Sequence, residues 1–333
     1  MDRRTFLKHA AVASLLPVGE VLAAQPPARA RVVLVKTDDR AAGVARAIEL
    51  LGVASFAGGE VFLKANYNSA DPTPGSTHPD VLTAVLAALQ KKGAGPVTLG
   101  ERSGMGDTRA VLRTRGVFDI AGRFGAKVLV LDELPAEGWQ PVRPRSSHWE
   151  RGFAVPRALL GAGAVVQTCC LKTHRYGGHF TLSLKNSVGL AAKTVPGDSY
   201  NYMRELHGSP NQRKMIAEIN TAYAPALVVL DGVDAFVSGG PDTGQLAHPG
   251  VVVAGVDRVA VDAVGVALLR NLGTTPEVRR GAIFEQEQLA RAAELGVGVG
   301  RPEGVELVTG DRASAETAKN VRALLDQTPG AAG

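Results

Sequence analysis

The chain alternates short, almost purely apolar runs with longer stretches in which apolar residues recur every three or four positions. The runs fall at residues 31–36, 61–65, 97–100, 127–131, 164–168, 226–230 and 251–254. Short runs rich in Val and Leu, with no polar alternation, are the pattern of strands buried on both faces. The clearest helical pattern is at 79–92, where Val81, Leu82, Val85, Leu86 and Leu89 share one face. Thr77 or His78 is placed to cap it, and Pro79 suits its first turn. A second helical pattern runs through Arg46 to Leu51. Strands bracketed by helices predict an α/β fold, a mostly parallel sheet with helices on both faces and loop insertions. The insertions are 133–156, rich in Pro, Trp and Arg, and 195–211, polar and turn-rich. Beyond about Thr274 the pattern is helical, then strand-like at 305–309, then helical again before a Gly/Ala tail.

The first residues fit none of this. Arg3 and Arg4 are followed by Thr-Phe-Leu-Lys, an uncharged stretch at 10–19, and small residues at Ala23 and Ala24. That is the layout of a secretory signal, and the apolar stretch is too short for the roughly 20 residues a bilayer requires. The twin arginine resembles the signal of the twin-arginine export route, with Asp2 where that pattern has Ser or Thr. The breakers Pro17, Gly19, Pro26 and Pro27 disfavour a long first helix. The expectation is a signal peptide at 1–24 cleaved near Ala23 or Ala24, the twin-arginine translocase as a partner, and a periplasmic protein with no stable membrane span. An α/β domain at 31–310 and a C-terminal helix and flexible tail at 311–333 complete the expected organisation.

Composition narrows the chemistry. The 333 residues are 45% hydrophobic and 21% charged, with net charge +5, which excludes a disordered or highly charged chain. Loss of residues 1–24 removes three basic and two acidic side chains and leaves +4. The 39 glycines exceed the usual ~7% and suit many short connections. Two cysteines, the adjacent Cys169 and Cys170, cannot ligate a four-cysteine cluster, so no iron–sulfur cluster is expected from the chain's own cysteines. A bond between neighbours is strained, so both are read as reduced and partly buried. Arg143, Arg145, Arg151 and Arg157 with Trp139, Trp149 and His148 superficially resemble a stacking surface, but the balanced charge and expected export argue against nucleic acid.

In a parallel sheet, ligands bind beyond the carboxyl ends of the strands. The polar residues there are Lys64 and Asn66, then Glu101, then Lys172 and His174, then Asp231, with His78 and Lys185 close by in sequence. Lysines gathered at one edge repel each other unless a ligand offsets them, which points to a carboxylate or phosphate. Ser183 is placed to cap a short helix whose N–H groups bind an anion, with Lys185 and Asn186 adding charge and hydrogen bonds. The glycine loop at 239–244 lacks the Gly-Lys-Ser/Thr ending of a phosphate loop and reads as a turn. A metal is unknown; its candidate ligands are His78, His174 and His207, without a recognisable spacing.

Lys64-x-Asn66, Gly75-Ser-Thr-His78-Pro79, Lys172-Thr-His174, Ser183-Leu-Lys185-Asn186, Asp231-Gly232 and Ala254-Gly-Val-Asp257 with Asp262 together resemble the DUF362 family. The family is of unknown function, and some members carry four-cysteine clusters that this chain lacks. The resemblance picks out Lys64, Asn66, His78, Lys172, His174, Lys185, Asn186, Asp231, Asp257 and Asp262 without giving them roles. Lys172, His174, Lys185 and Glu101 are the catalytic candidates. Lys64, Asn66, His78, Ser183, Asn186, Asp231, Asp257 and Asp262 are the ligand-binding ones. The expectation is an exported enzyme acting on a small anionic substrate through the Lys/His cluster. The alternative is a non-catalytic periplasmic binding or maturation protein for an anion, metal or redox cofactor.

Overall fold

Every apolar run of the sequence forms a strand. The computed structural model describes residues 29–327, so the expected signal peptide at 1–24 and the last tail residues lie outside the described residues. The strands are β1 (Ala30–Lys36), β2 (Val61–Lys64), β3 (Val97–Glu101), β4 (Lys127–Val130), β5 (Trp139–Val142), β6 (Phe153–Pro156), β7 (Ala164–His174), β8 (His179–Thr181), β9 (Leu227–Gly239), β10 (Gly244–Ala247), β11 (Val251–Gly255) and β12 (Val305–Val308). The main sheet runs β12-β1-β11-β9-β7-β2-β3-β4, with β8 and β10 added antiparallel to β7 and β9. Along that path β11 is antiparallel to both neighbours and every other pairing is parallel. The fold is therefore α/β, with a large, mostly parallel mixed sheet.

Neighbouring residues of one strand enter different cores, because successive side chains point to opposite faces. Val32 and Leu34 of β1, Leu230 of β9 and Val253 of β11 pack with the helix Arg258–Asn271 on one face. Val33, Val35, Val229 and Val252 pack with the helices Arg40–Leu51 and Pro79–Lys91 on the other. His78 caps the latter helix, its Nδ1 accepting the Asp80 N–H at 3.1 Å. The helix Arg312–Leu325 buries Val321 and Leu325 in the first core. A third core joins the two insertions: Trp139, Trp149 and Phe153 pack against Leu190, Leu206, Met215 and Ile216. Both tryptophans are buried, so they present no surface for stacking bases.

Two features depart from the sequence reading and both shape the site. β7 does not stop near residue 168 but continues to His174, and β9 continues to Gly239. Polar Lys172 and His174 hide this extension, although Leu171 just before them is in the core. The second is the direction of β11. Because it runs against β9, Asp257 leaves it at the edge opposite to the one reached by β2, β3 and β7. Asp257 instead caps the helix Arg258–Asn271 and accepts the N–H groups of Ala260 and Val299. The glycine loop at 239–244 is the turn between β9 and β10, as its sequence suggested.

Candidate functional site

The carboxyl ends of β2, β3 and β7 open on one cavity of about 490 Å³. β2 delivers Lys64, and the chain just beyond it Asn66; β3 delivers Glu101; the extended part of β7 delivers Lys172 and His174. β8 returns alongside β7 with Thr181 opposite Lys172. The four-residue helix Ser183–Asn186 then supplies Lys185 and Asn186. The 195–211 insertion closes the far wall with Asn201, Met203, Arg204 and His207. Met105 and Tyr176 line the cavity while remaining 40% and 48% exposed, so they mark its mouth.

The inner wall is a closed hydrogen-bond network. Lys64 Nζ lies 2.8 Å from Glu101 Oε1 and 3.1 Å from Asn186 Oδ1, and also donates to the Ala65 carbonyl. The two Glu101 oxygens further accept the Tyr67 and Arg102 N–H groups at 3.0 and 2.9 Å. Asn66 donates to Asn186 at 3.0 Å and accepts from Lys172 Nζ at 2.9 Å. Lys172 also donates to the Gly75 carbonyl. Burial pushes Lys64 and Lys172 below the usual lysine range and Glu101 above the usual carboxylate range. For the Lys64–Glu101 pair we favour the charged form, because two backbone N–H groups besides the ammonium converge on that carboxylate.

Lys185, His174 and Thr181 on the cavity wall stand outside this network. Lys185 is 7% exposed, and its ammonium has no hydrogen-bond or ion-pair partner among the described residues. Burial first, then the charges of Lys172 and Arg102, lower it to about 7. His174 Nδ1 and Thr181 Oγ1 are buried without a hydrogen-bond partner. Burial, then Lys185 and Lys172, hold the His174 imidazole well below the usual histidine range, so it is neutral at pH 7. A Cβ built on Gly178 would come within 2.5 Å of Lys185 Cε and 3.0 Å of His174 Nδ1. Glycine at 178 therefore lets these two side chains share one space. Buried polar groups are normally satisfied, so such orphans beside a cavity are what a polar ligand would complete.

The remaining sequence candidates lie elsewhere. Ser183 opens its short helix, but its hydroxyl and the N–H groups of Ser183 and Leu184 bond to Asp262. The helix N-terminus expected to hold a ligand anion is thus filled by the chain's own carboxylate, from the helix Arg258–Asn271. Burial pushes Asp262 up to about 7 against the pull of those three donors. Asp231 is on the right edge of the sheet but is bound by Arg40, whose Nε lies 2.9 Å from Asp231 Oδ2. His78 faces that same Arg40 cluster and not the cavity. Of the metal candidates, His174 and His207 line the cavity and His78 does not. Among the described residues no group of three or more His, Cys, Asp or Glu side chains is arranged to hold a metal ion. Cys169 and Cys170 are free thiols, fully buried, and burial pushes Cys170 up to about 12.

Sequence reasoning missed Arg102, Thr181, Arg204 and Lys193. Arg102 is 3% exposed, donates to the Val188 carbonyl and has an unpartnered Nε. Its place directly after Glu101 at a strand end was the available signal. Lys193 pairs with Asp132 at 3.0 Å. Arg204 comes from the insertion, and no local pattern there marks it as facing a site.

Comparison with known proteins fits this geometry to a family. The model of DUF362, a domain of unknown function, matches residues 61–267, and the chain belongs to that family. A thylakoid-associated protein of Synechocystis sp. is 26% identical over 218 residues, a match spanning 64% of this chain and 64% of that protein's length. The lactate racemase apoprotein of Thermoanaerobacterium thermosaccharolyticum superimposes with a TM-score of 0.41 at 13% identity, over 92% of this chain and 87% of that one. Among the described residues no helix is long and apolar enough to cross a membrane.

Proposed function

We propose that this DUF362 protein is an enzyme that binds a small carboxylate or phosphate in the 490 Å³ cavity and transforms it there. Lys172 and Lys185 hold the anion, and His174, neutral at pH 7, is the general acid–base group. The observation that carries this reading is the Lys185 ammonium, enclosed, beside other cations and without a counter-ion. A buried positive charge left unpaired is expensive, and an anionic ligand is the natural compensation. The rim adds Arg204, so the cavity attracts anions as well as holding them. A non-catalytic carrier of the same anion is the second reading. It is favoured by Glu101, whose oxygens are taken by Lys64, Tyr67 and Arg102, so that no free carboxylate is left as a second acid–base group.

The test is calorimetric titration with sulfate, phosphate and a set of 2-oxo and 2-hydroxy acids, followed by the same titrations on Lys185→Met and His174→Ala. Binding that weakens by about tenfold in Lys185→Met with an unchanged melting temperature supports the site. Unchanged binding removes it. Turnover lost in His174→Ala with binding retained favours the enzyme over the carrier. Export is part of the proposal and rests on Arg3, Arg4 and the following apolar stretch. It is tested by whether the chain is processed near Ala23 or Ala24 in cells with and without a twin-arginine translocase.

A further inference from the structure

The lysines of the cavity are not equivalent, and the difference concerns chemistry as well as charge. Lys64 is bound by Glu101, Asn186 and the Ala65 carbonyl; Lys172 by Asn66 and the Gly75 carbonyl; Lys193 by Asp132. Each of these ammonium groups has acceptors that hold it in place. Among the described residues Lys185 has none. An enclosed amine with no acceptor and with cationic neighbours is pushed towards its neutral, nucleophilic form. Holding an anion beside Lys172 and Arg102 uses the protonated form of Lys185, and its neutral form is left for other chemistry.

The geometry points to Lys185 as a carbonyl-reactive amine that forms an imine with a 2-oxo acid held in the cavity. This deepens the anion-binding proposal and rests on it, since the acid's carboxylate is what Lys172 and Arg102 would hold. In the step, the lone pair of Lys185 Nζ attacks the carbonyl carbon at C2, and the C=O electron pair moves to oxygen. A proton leaves Nζ, is taken up by the unpartnered Nδ1 of His174, and is delivered to that oxygen, giving a carbinolamine. Loss of the second Nζ proton and of the hydroxyl releases one water and leaves the C=N bond. Nothing is oxidised or reduced, and no other reactant is consumed.

Two further observations fit this assignment. Gly178 leaves open the space between Lys185 and His174, so the proton donor and its acceptor are neighbours with no side chain between them. Thr181 Oγ1, also unpartnered, lies on the same hairpin and is free to bond the carbinolamine oxygen. The lowering of Lys185 to about 7 gives a substantial neutral fraction at neutral pH.

The experiment is reductive trapping on the full chain. The protein is incubated with pyruvate or glyoxylate and sodium cyanoborohydride, and the modified lysines are located by peptide mass mapping. Lys185 is expected to be labelled at least about tenfold faster than exposed lysines such as Lys91 and Lys319. Acetone, a carbonyl without a carboxylate, is expected to label it more slowly than pyruvate. Lys185→Arg, which keeps a cation but cannot form an imine, should show no fast label. Labelling spread over surface lysines while pyruvate still binds overturns this inference and leaves the anion site standing. If pyruvate and the simple anions fail to bind at all, the anion site itself falls. The labelling map of the unmodified protein does not depend on the variant folding.

Discussion

Lys64 Nζ lies 2.8 Å from Glu101 Oε1 in an ion pair whose two side chains are each 1% exposed. The residues are 37 positions apart, on neighbouring strands β2 and β3. A pair this deeply enclosed adds little net stability over apolar residues of the same shape, but removing one member strands a charge. Lys64→Met or Glu101→Gln is therefore expected to lower unfolding free energy by about 3–5 kcal/mol, and the double replacement by less than the sum. Urea unfolding of the two single variants and the double one checks this. An additive double variant would mean that the pair does not act as a unit.

Gly178 is predicted to matter for the ligand and not for the fold. Its backbone is not in the left-handed region, so alanine is allowed there, but the new methyl would press on Lys185 and His174. Gly178→Ala should keep the melting temperature within a few degrees and weaken anion binding by about tenfold or more, because both side chains must shift. A variant that binds normally would show that the two groups have room to spare.

Affinity for a simple anion should fall as pH rises. Lys185 is protonated below about 7 and neutral above it. Of the groups facing it, His174 and His207 are held below the usual histidine range by burial, Arg102 is lowered by burial from the usual arginine range, and Lys172, itself lowered by burial, acts in the same sense as Lys185. Sulfate keeps a constant charge, so its binding isolates this effect. Losing one charge-assisted contact costs about 1.5–3 kcal/mol, or roughly tenfold and more in affinity between pH 6 and 8.5. Trapping of a 2-oxo acid should run the other way and speed up over the same range. Parallel trends would contradict the assignment of both to Lys185.

Asp262 and Asp231 should separate positioning from plain stability. Asp262 holds the N-terminus of the short helix that carries Lys185, through Ser183 and Leu184. Asp262→Ala is expected to destabilise the protein and to weaken anion binding, whereas Asp262→Asn, which still accepts, should recover part of both. Arg40→Ala strands the buried Asp231 and is expected to cost about 3–5 kcal/mol. It should leave the affinity of the folded protein unchanged, because the Arg40 cluster lies outside the cavity. Kd and denaturation midpoints of these three variants decide the matter.

Much of the cavity was readable in advance. Lys64, Asn66, Glu101, Lys172, His174, Lys185 and Asn186 were selected as polar residues close to strand ends, and all seven line it. Ser183, Asp231, Asp257, Asp262 and His78 meet the same criterion but have partners within the fold: Ser183 bonds Asp262, Asp231 pairs with Arg40, Asp257 and His78 cap helices, and Asp262 accepts from the start of the short helix. The reading could not separate the groups because a strand-end aspartate looks the same whether or not an arginine from another element reaches it. It also had no means of finding Arg204 or Met203, which the 195–211 insertion brings across the cavity.

The sequence by itself determined which stretches become strands, because a strand buried on both faces needs a continuous apolar run, and it marked most of the residues at the reactive edge. Only the tertiary structure decided the direction of β11, which carries Asp257 to the opposite edge, and the continuation of β7 to His174. It also decided which lysine is left without a partner. Among the described residues Lys64 has Glu101, Lys172 has Asn66, and Lys185 has no partner. Hydrophobic pattern is a local property of the chain. The state of a buried charge is set by what lies within about 4 Å of it, whatever its distance in sequence.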